Sequence, residues 1–183
     1  MKSSPYDRLV ENCREARVDI SRICLVASIP EQRLRLFEDG KSLKAYCMSS
    51  SKRPPSCEKN SLGTPWGLHE VCEKIGAGEP EGMVFKGRRS AGACYWECSA
   101  EEQEKNLITT RILRLRGLES EVNRGGNHDT FARLVYLHGT NHEDRIGQPA
   151  SAGCLQVSNR DALELFEIVP VGSRLLIETE SGA

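Results

Sequence analysis

Two hydrophobic periods alternate along this 183-residue chain, and the points where one gives way to the other divide it into elements. Tyr6, Leu9, Val10 and Cys13 recur at three- and four-residue steps, which predicts an amphipathic helix over residues 4–17. Ser4 supplies a cap, Pro5 suits the first turn and Asp7 sits at the positive end. From Asp19 to Ser49 the period becomes two. Ile23 to Ala27 is a short apolar run, Leu34 and Leu36 alternate with arginines, and Asp39-Gly40 signals a hairpin before Leu43, Ala45 and Cys47. A meander of strands follows from that pattern.

Residues 49–60, SSSKRPPSCEKN, are polar and rich in turn formers, so they read as a loop. Residues 76–106 are glycine-rich and then charged; most of this stretch is expected to be a long loop bordering a binding groove. Strand character resumes over 107–118, with Leu113 and Leu115 against Arg114 and Arg116, and Gly125, Gly126 and Asn127 punctuate a turn. A further strand puts Leu134, Tyr136 and His138 on one face, Val135 and Leu137 on the other. Ser158 or Asn159 caps a second helix whose buried stripe is Ala162, Leu165, Phe166 and Val169. Pro170 ends it, and Arg174 to Glu178 is a last strand that closes the sheet. The fold class is mostly β, with mixed β-sheets, a helix at the N-terminus and a helix late in the chain.

Composition then narrows the function classes. A net charge of −1, with 28% charged residues, offers no basic face for displacing counterions, so no nucleic-acid partner is expected. No apolar run approaches membrane-spanning length, so no membrane span is expected, and the first twenty residues contain no signal-peptide core. Eight cysteines are too dispersed for a disulfide scaffold; Cys13, Cys24, Cys47 and Cys72 fall where small apolar side chains belong, and the number hints at a reducing compartment. The GAGEPEG run lacks the strand and helix context of a phosphate loop, which removes nucleotide binding.

The candidate chemistry lies between Phe131 and Asn159, where His138-Gly139 and Gly153-Cys154 occupy the two lips of one polar loop. A thiolate attacks a carbonyl well when a base takes its proton and amide N–H groups hold the oxyanion. Each of the two residues has a glycine neighbour that lets backbone approach a substrate. A free thiol is only a few per cent ionised at neutral pH, so a nearby imidazole matters.

At these residues the chain resembles the L,D-transpeptidase catalytic-domain (YkuD-type) family of bacterial cell-wall enzymes, whose signature is His-Gly near a strand end, a loop, then Ser-His-Gly-Cys. Tyr136 to Thr140, Gly147 to Pro149, Ser151, Gly153 and Cys154 follow that order, and Gln32 to Gly40 and Thr64-Pro65-Trp66-Gly67 match runs upstream. The resemblance covers residues 19–178. It departs at Ala152, which stands where the family has His, and at Gln156, where Arg or Asn is common. It implies an N-terminal helical extension over 1–18 and a catalytic domain over 19–180. It further implies Cys154 as nucleophile, His138 as base, and the Gly139 carbonyl as the group orienting the ring. The N–H groups of Gly153 and Cys154 would form the oxyanion hole. Tyr136, Thr140, Ser151, Ala152 and Gln156 would contact substrate, with Trp66 as an aromatic wall.

The reaction implied is attack on the peptide bond before the terminal D-alanine of a peptidoglycan stem tetrapeptide, giving a thioester. An amine from a second stem then forms a crosslink, or water completes a carboxypeptidation. No metal or organic cofactor is required, and carbapenem-type β-lactams are expected to acylate the Cys. The implied location is the cell envelope or periplasm; the leaderless start and the cysteines leave the cytoplasm open. Three rivals remain: an inert peptidoglycan-binding member, because of Ala152 and Gln156; a zinc site from Cys94 and Cys98 with His69 and Cys72; and a cysteine protease of unrelated design. His128 and His142 read as loop residues, with His142 near enough in sequence to line the groove.

Overall fold

A computed structural model describes residues 3–180. The first helix, α1 (Pro5–Glu15), starts as its sequence dictates: Ser4 Oγ accepts the Asp7 N–H at 3.1 Å while the Asp7 carboxylate accepts the Ser4 N–H at 3.0 Å. Its apolar face buries Leu9 and Cys13 against Cys24, Val26, Phe37, Leu68 and Leu176, and Arg8 donates to Glu178 at 2.9 Å. Residues 1 and 2 of the extension expected over 1–18 lie outside the described residues.

Ten strands follow. The meander is β1 (Ile23–Ser28), β2 (Arg33–Glu38) and β3 (Lys41–Cys47), paired antiparallel through a turn in which Asp39 and Gly40 both have positive φ. Leu43, Ala45 and Cys47 turn outward on β3; the buried residue of that strand is Tyr46. Next come β4 (Gly67–Ile75), β5 (Met83–Lys86) and β6 (Arg89–Cys94). The last two form a hairpin through Gly87 and Arg88, both at positive φ, and a short helix α2 (Ala100–Gln103) follows. The loop expected over 76–106 is therefore largely structured. Lys86, Arg88 and Arg89 crowd the hairpin tip and Glu101 and Glu102 lie on α2, so the composition looks like a loop although the ladder is paired.

The chain continues through β7 (Ile108–Gly117), β8 (Tyr136–Thr140), β9 (Leu155–Val157), α3 (Asn159–Ile168) and β10 (Arg174–Glu178). The strand order is β3-β2-β1-β10-β4-β7-β5-β6, with β8 on β7 and β9 on β8. The last strand is thus interior, parallel to β1 and antiparallel to β4, rather than at a sheet margin. A two-way backbone bridge between Ser49 and Gln156, at 2.8 and 2.9 Å, joins the end of β3 to β9. Hydrogen bonding consequently runs round a closed path from β3 through β1, β10, β4, β7 and β8 to β9. Inside it, Leu25, Leu36, Leu115, Leu137, Leu155 and the α3 stripe Ala162, Leu165, Phe166 and Val169 share one core.

One irregularity shapes the region around the loop residues. On β7 the register slips between Thr109 and Ile112 opposite the His138–Gly139 step, and Thr110 takes φ +69°. The bulge turns the hydroxyls of Thr109 and Thr110 to the same Asn159 Oδ1, while Asn159 Nδ2 donates to Thr140 O at 2.9 Å and Glu143 Oε1 at 3.0 Å. Ser158 is the cap of α3, which frees Asn159 for this network. A Cβ on Gly139 would fall 2.6 Å from Asn159 Oδ1 and 2.8 Å from Thr109 O, so only glycine fits after His138. Replacing Asn159 with Ala leaves two buried hydroxyls without their acceptor. Urea unfolding of Asn159→Ala is expected to show a loss of about 2–4 kcal/mol; a loss below about 1 kcal/mol would show that the network is not holding β7, β8 and α3 together.

Candidate active site

Strand pairing brings His138 and Cys154 onto one face. In the parallel β8–β9 ladder Leu137 faces Leu155 and His138 faces Gln156, so Cys154, just before β9, lies level with Tyr136. His138 is the next residue along β8 on the same face, a diagonal neighbour of Cys154. Ile112, the β7 partner of His138, belongs with Tyr136, Met83 and Phe85 to the apolar cluster against which Cys154 packs. The β5–β6 hairpin therefore borders this face through Met83 and Phe85.

The sulfur is held by backbone. The Tyr136 N–H donates to Cys154 Sγ at 3.3 Å, and the sulfur lies 3.7 Å from Leu134 O. Leu134 does not belong to the strand as the alternation predicts; it takes φ +59° and is exposed, which ends β8 at Tyr136 and opens the sulfur's surroundings. Ser151 folds the turn ahead of Cys154, its hydroxyl donating to Cys154 O at 2.6 Å and accepting the Gly153 N–H at 3.1 Å. Gly153 adopts φ +128°, with no atom within 3.4 Å of where a Cβ would stand; conformation rather than space requires glycine.

Both titratable groups are neutral near pH 7. Burial pushes the Cys154 thiol up to about 11, against the pull of the Tyr136 N–H and the Arg133 guanidinium. Burial holds His138 down to about 4, although its Nδ1 lies 2.6 Å from Gly139 O, a contact that favours a protonated Nδ1. With Nδ1 turned to that carbonyl, Nε2 is the remaining basic nitrogen. Cys154 itself is half-buried and opens on a cavity of about 200 Å³ lined also by Lys59, Asn60, Leu62, Arg133, Ala152 and Gly153.

The comparisons with known proteins meet this geometry. The model of the L,D-transpeptidase catalytic domain (YkuD) matches residues 22–177, most of the chain. The chain belongs to the L,D-transpeptidase catalytic-domain family. The putative L,D-transpeptidase YqjB of Bacillus subtilis is 38% identical over 52 residues, 28% of this chain and 30% of that protein. The putative L,D-transpeptidase YkuD of Bacillus licheniformis is 51% identical over 41 residues, 22% and 25% of the two chains. The matched segments thus span less than a third of these relatives. L,D-transpeptidase 3 from Mycobacterium tuberculosis, solved in complex with a faropenem-derived adduct, shares the fold with a TM-score of 0.53 at 15% identity, covering 87% of this chain and 60% of that one.

Several residues that the L,D-transpeptidase signature suggested as substrate contacts lie elsewhere. Thr140 is fully buried, its hydroxyl accepting the His142 N–H. Gln156 is buried, bridges to Ser49 through its backbone and donates to Asn106 Oδ1 at 2.7 Å, so its amide is engaged within the fold. Ser151 is likewise enclosed in its own turn. Tyr136 is buried, with its hydroxyl 3.3 Å from Arg88 Nη1, and offers its N–H rather than its ring. Trp66 lines a different depression, beside Arg8, Asn12 and Glu178. Of the suggested contacts, Ala152 is the one on the cavity rim, while the Gly153 N–H is already engaged by Ser151.

The zinc alternative is not assembled: His69 lies on β4 with its ring nitrogens near Gly67 O and Thr130 Oγ1, at 2.9 and 3.0 Å, while Cys94 ends β6. His142 packs on Lys105 O at 3.1 Å, in a depression apart from Cys154. Cys13 and Cys24 are buried as expected of small apolar residues, whereas Cys47 and Cys72 are only half-buried. Arg133, on the cavity wall, carried no periodic or motif signal.

A thiol held neutral predicts a distinct reactivity. Below about pH 11 the thiolate fraction rises about tenfold per pH unit. Alkylation of Cys154 by iodoacetamide is accordingly expected to accelerate about tenfold per unit from pH 7 to 9 without a plateau. A rate flat across that range would reveal a standing thiolate–imidazolium pair and refute the neutral resting state.

Proposed function

We propose that Cys154 performs acyl transfer on peptidoglycan stem peptides. The observation that carries this reading is a half-buried sulfur resting on the Tyr136 N–H, at the wall of a cavity, with His138 one diagonal step along the neighbouring strand. Sγ attacks the carbonyl carbon of the bond before the terminal D-alanine, and its proton passes to His138 Nε2. The Cys154 N–H holds the oxyanion, joined by the Tyr136 N–H once the attacking sulfur no longer accepts from it; the Gly153 N–H stays with Ser151. Collapse breaks the C–N bond, the leaving amine takes the proton back from His138, and a thioester remains. An acceptor amine then attacks the thioester, yields its proton to His138, and leaves a new amide and a restored thiol. Water in place of the amine gives carboxypeptidation.

Neutral resting groups suit this sequence, because charge is created only when substrate fills the cavity and its carbonyl can share it. The Gly139 carbonyl fixes the tautomer that presents Nε2. Membership of the family and the fold shared with the M. tuberculosis enzyme support the substrate class. A cell-envelope location belongs to the same reading.

Two features favour a second reading, peptidoglycan binding with slow or no turnover. A thiol near 11 is a reluctant nucleophile, and Ala152 brings no side-chain donor to the rim. Incubation with disaccharide tetrapeptides separates the two. Release of D-alanine with crosslinked or tripeptide products, abolished in Cys154→Ala, is the expected outcome; binding without products supports the second reading. A carbapenem is expected to add its mass to Cys154 and not to the Cys154→Ala protein, as read by peptide mapping.

A further inference from the structure

We propose that Arg133 is the specificity-determining residue of this site, the cation that holds a substrate carboxylate beside Cys154. Its guanidinium is half-buried on the cavity wall that the sulfur shares. Three other enclosed arginines meet acids, Arg8 with Glu178, Arg114 with Glu73 and Arg174 with Glu70, while Arg111, away from the cavity, donates to the backbone oxygens of Glu79 and Thr110. Arg133 has no carboxylate partner among the described residues. Nη1 donates to Ser56 O at 2.9 Å, and Nη2 to Gly63 O at 2.7 Å and Ser61 Oγ at 3.3 Å. Those three neutral acceptors fix the group's place without cancelling its charge. Burial lowers its pKa, and the groups that raise it are thiols, Cys57 and Cys154.

A half-buried cation with no counter-ion is costly, and the cost is offset when a ligand brings the missing negative charge. The cavity lining supports that sign: Lys59 joins Arg133, and no acidic residue faces them. Of the five N–H groups of a guanidinium, three are used; the Nε–H and one Nη1 hydrogen remain, on opposite edges of the group, so an incoming anion takes one of them rather than both. A carboxylate is the anion chemistry that fits a planar donor group next to an acyl-transfer thiol. Two parts of a stem peptide can supply it: the C-terminal carboxylate of the departing residue, or a free carboxylate on the diamino acid that becomes the acyl group. The inference rests on the acyl-transfer reading for the identity of the substrate, though not for the anion preference itself.

The test has two independent arms. In the first, Cys154 is alkylated with iodoacetate and iodoacetamide, which differ in charge, and the rate ratio is compared with that of free cysteine. The ratio is expected to favour iodoacetate roughly tenfold over the free-cysteine reference, to survive in Arg133→Lys and to collapse in Arg133→Met. A merely structural Arg133 would change both rates alike and leave the ratio untouched. A wild-type ratio equal to the reference overturns the proposal even if neither variant folds.

In the second arm, the wild-type protein is given tetrapeptides with a free C-terminus, a C-terminal amide, or an amidated diamino acid. A roughly 10- to 100-fold fall in kcat/KM for one amide identifies which carboxylate Arg133 holds. Equal rates for all three overturn the proposal. No turnover of any peptide sinks the acyl-transfer reading, and the alkylation ratio still decides the role of Arg133.

Discussion

Three residues of β9 laid parallel on β8 fix the arrangement of the site. Parallel pairing needs a crossover, and the connection from His142 to Cys154 supplies it while carrying Gly153 and the sulfur back to the start of β8. The register of that ladder puts Cys154 level with Tyr136 and one same-face step from His138. A slip of one residue would send the sulfur to the core face that Leu155 occupies. What holds the register is the closure of the sheet: Ser49 pairs with the backbone of Gln156, and α3 packs Ala162, Leu165 and Phe166 into the enclosed core. The bulge on β7 lies opposite the His138–Gly139 step, Asn159 fills the space beside Gly139, and the imidazole Nδ1 rests 2.6 Å from the Gly139 carbonyl.

The electrostatics of the site follow from that enclosure. Backbone amides and carbonyls provide most of the polar contacts around Cys154 and His138, so neither residue meets an acid that would stabilise an imidazolium. Burial therefore keeps both neutral, and the fixed positive charge nearby belongs to Arg133. The Arg133 guanidinium and the Tyr136 N–H stand on the sulfur's side of the site.

Departures from the family signature take a physical meaning in this setting. Ala152 is on the rim, where its small side chain widens the cavity and withdraws a donor. Gln156 is inside, where its side chain ties β9 to Asn106. Two changes two positions on either side of the same cysteine thus act on different layers, because successive residues before β9 lie in an exposed turn and those within it are enclosed.

By itself the sequence determined the N-terminal helix, with Ser4, Pro5 and Asp7 in place. It also determined the three-strand meander turning at Asp39-Gly40 and the α3 stripe, and it put His138 and Cys154 at the two lips of one loop. Those features depend on contacts a few residues apart or on a motif whose order is local. The tertiary structure alone decided the interior position of β10, the hairpin within 76–106, the β9 strand too short to show a period, and the removal of Thr140, Gln156 and Trp66 from the cavity. It alone placed Arg133 on the wall beside the sulfur. Each of these depends on which strand lies next to which. Hydrogen-bond partners and burial across a sheet are set by residues tens of positions apart, and the period of a single strand carries no record of them.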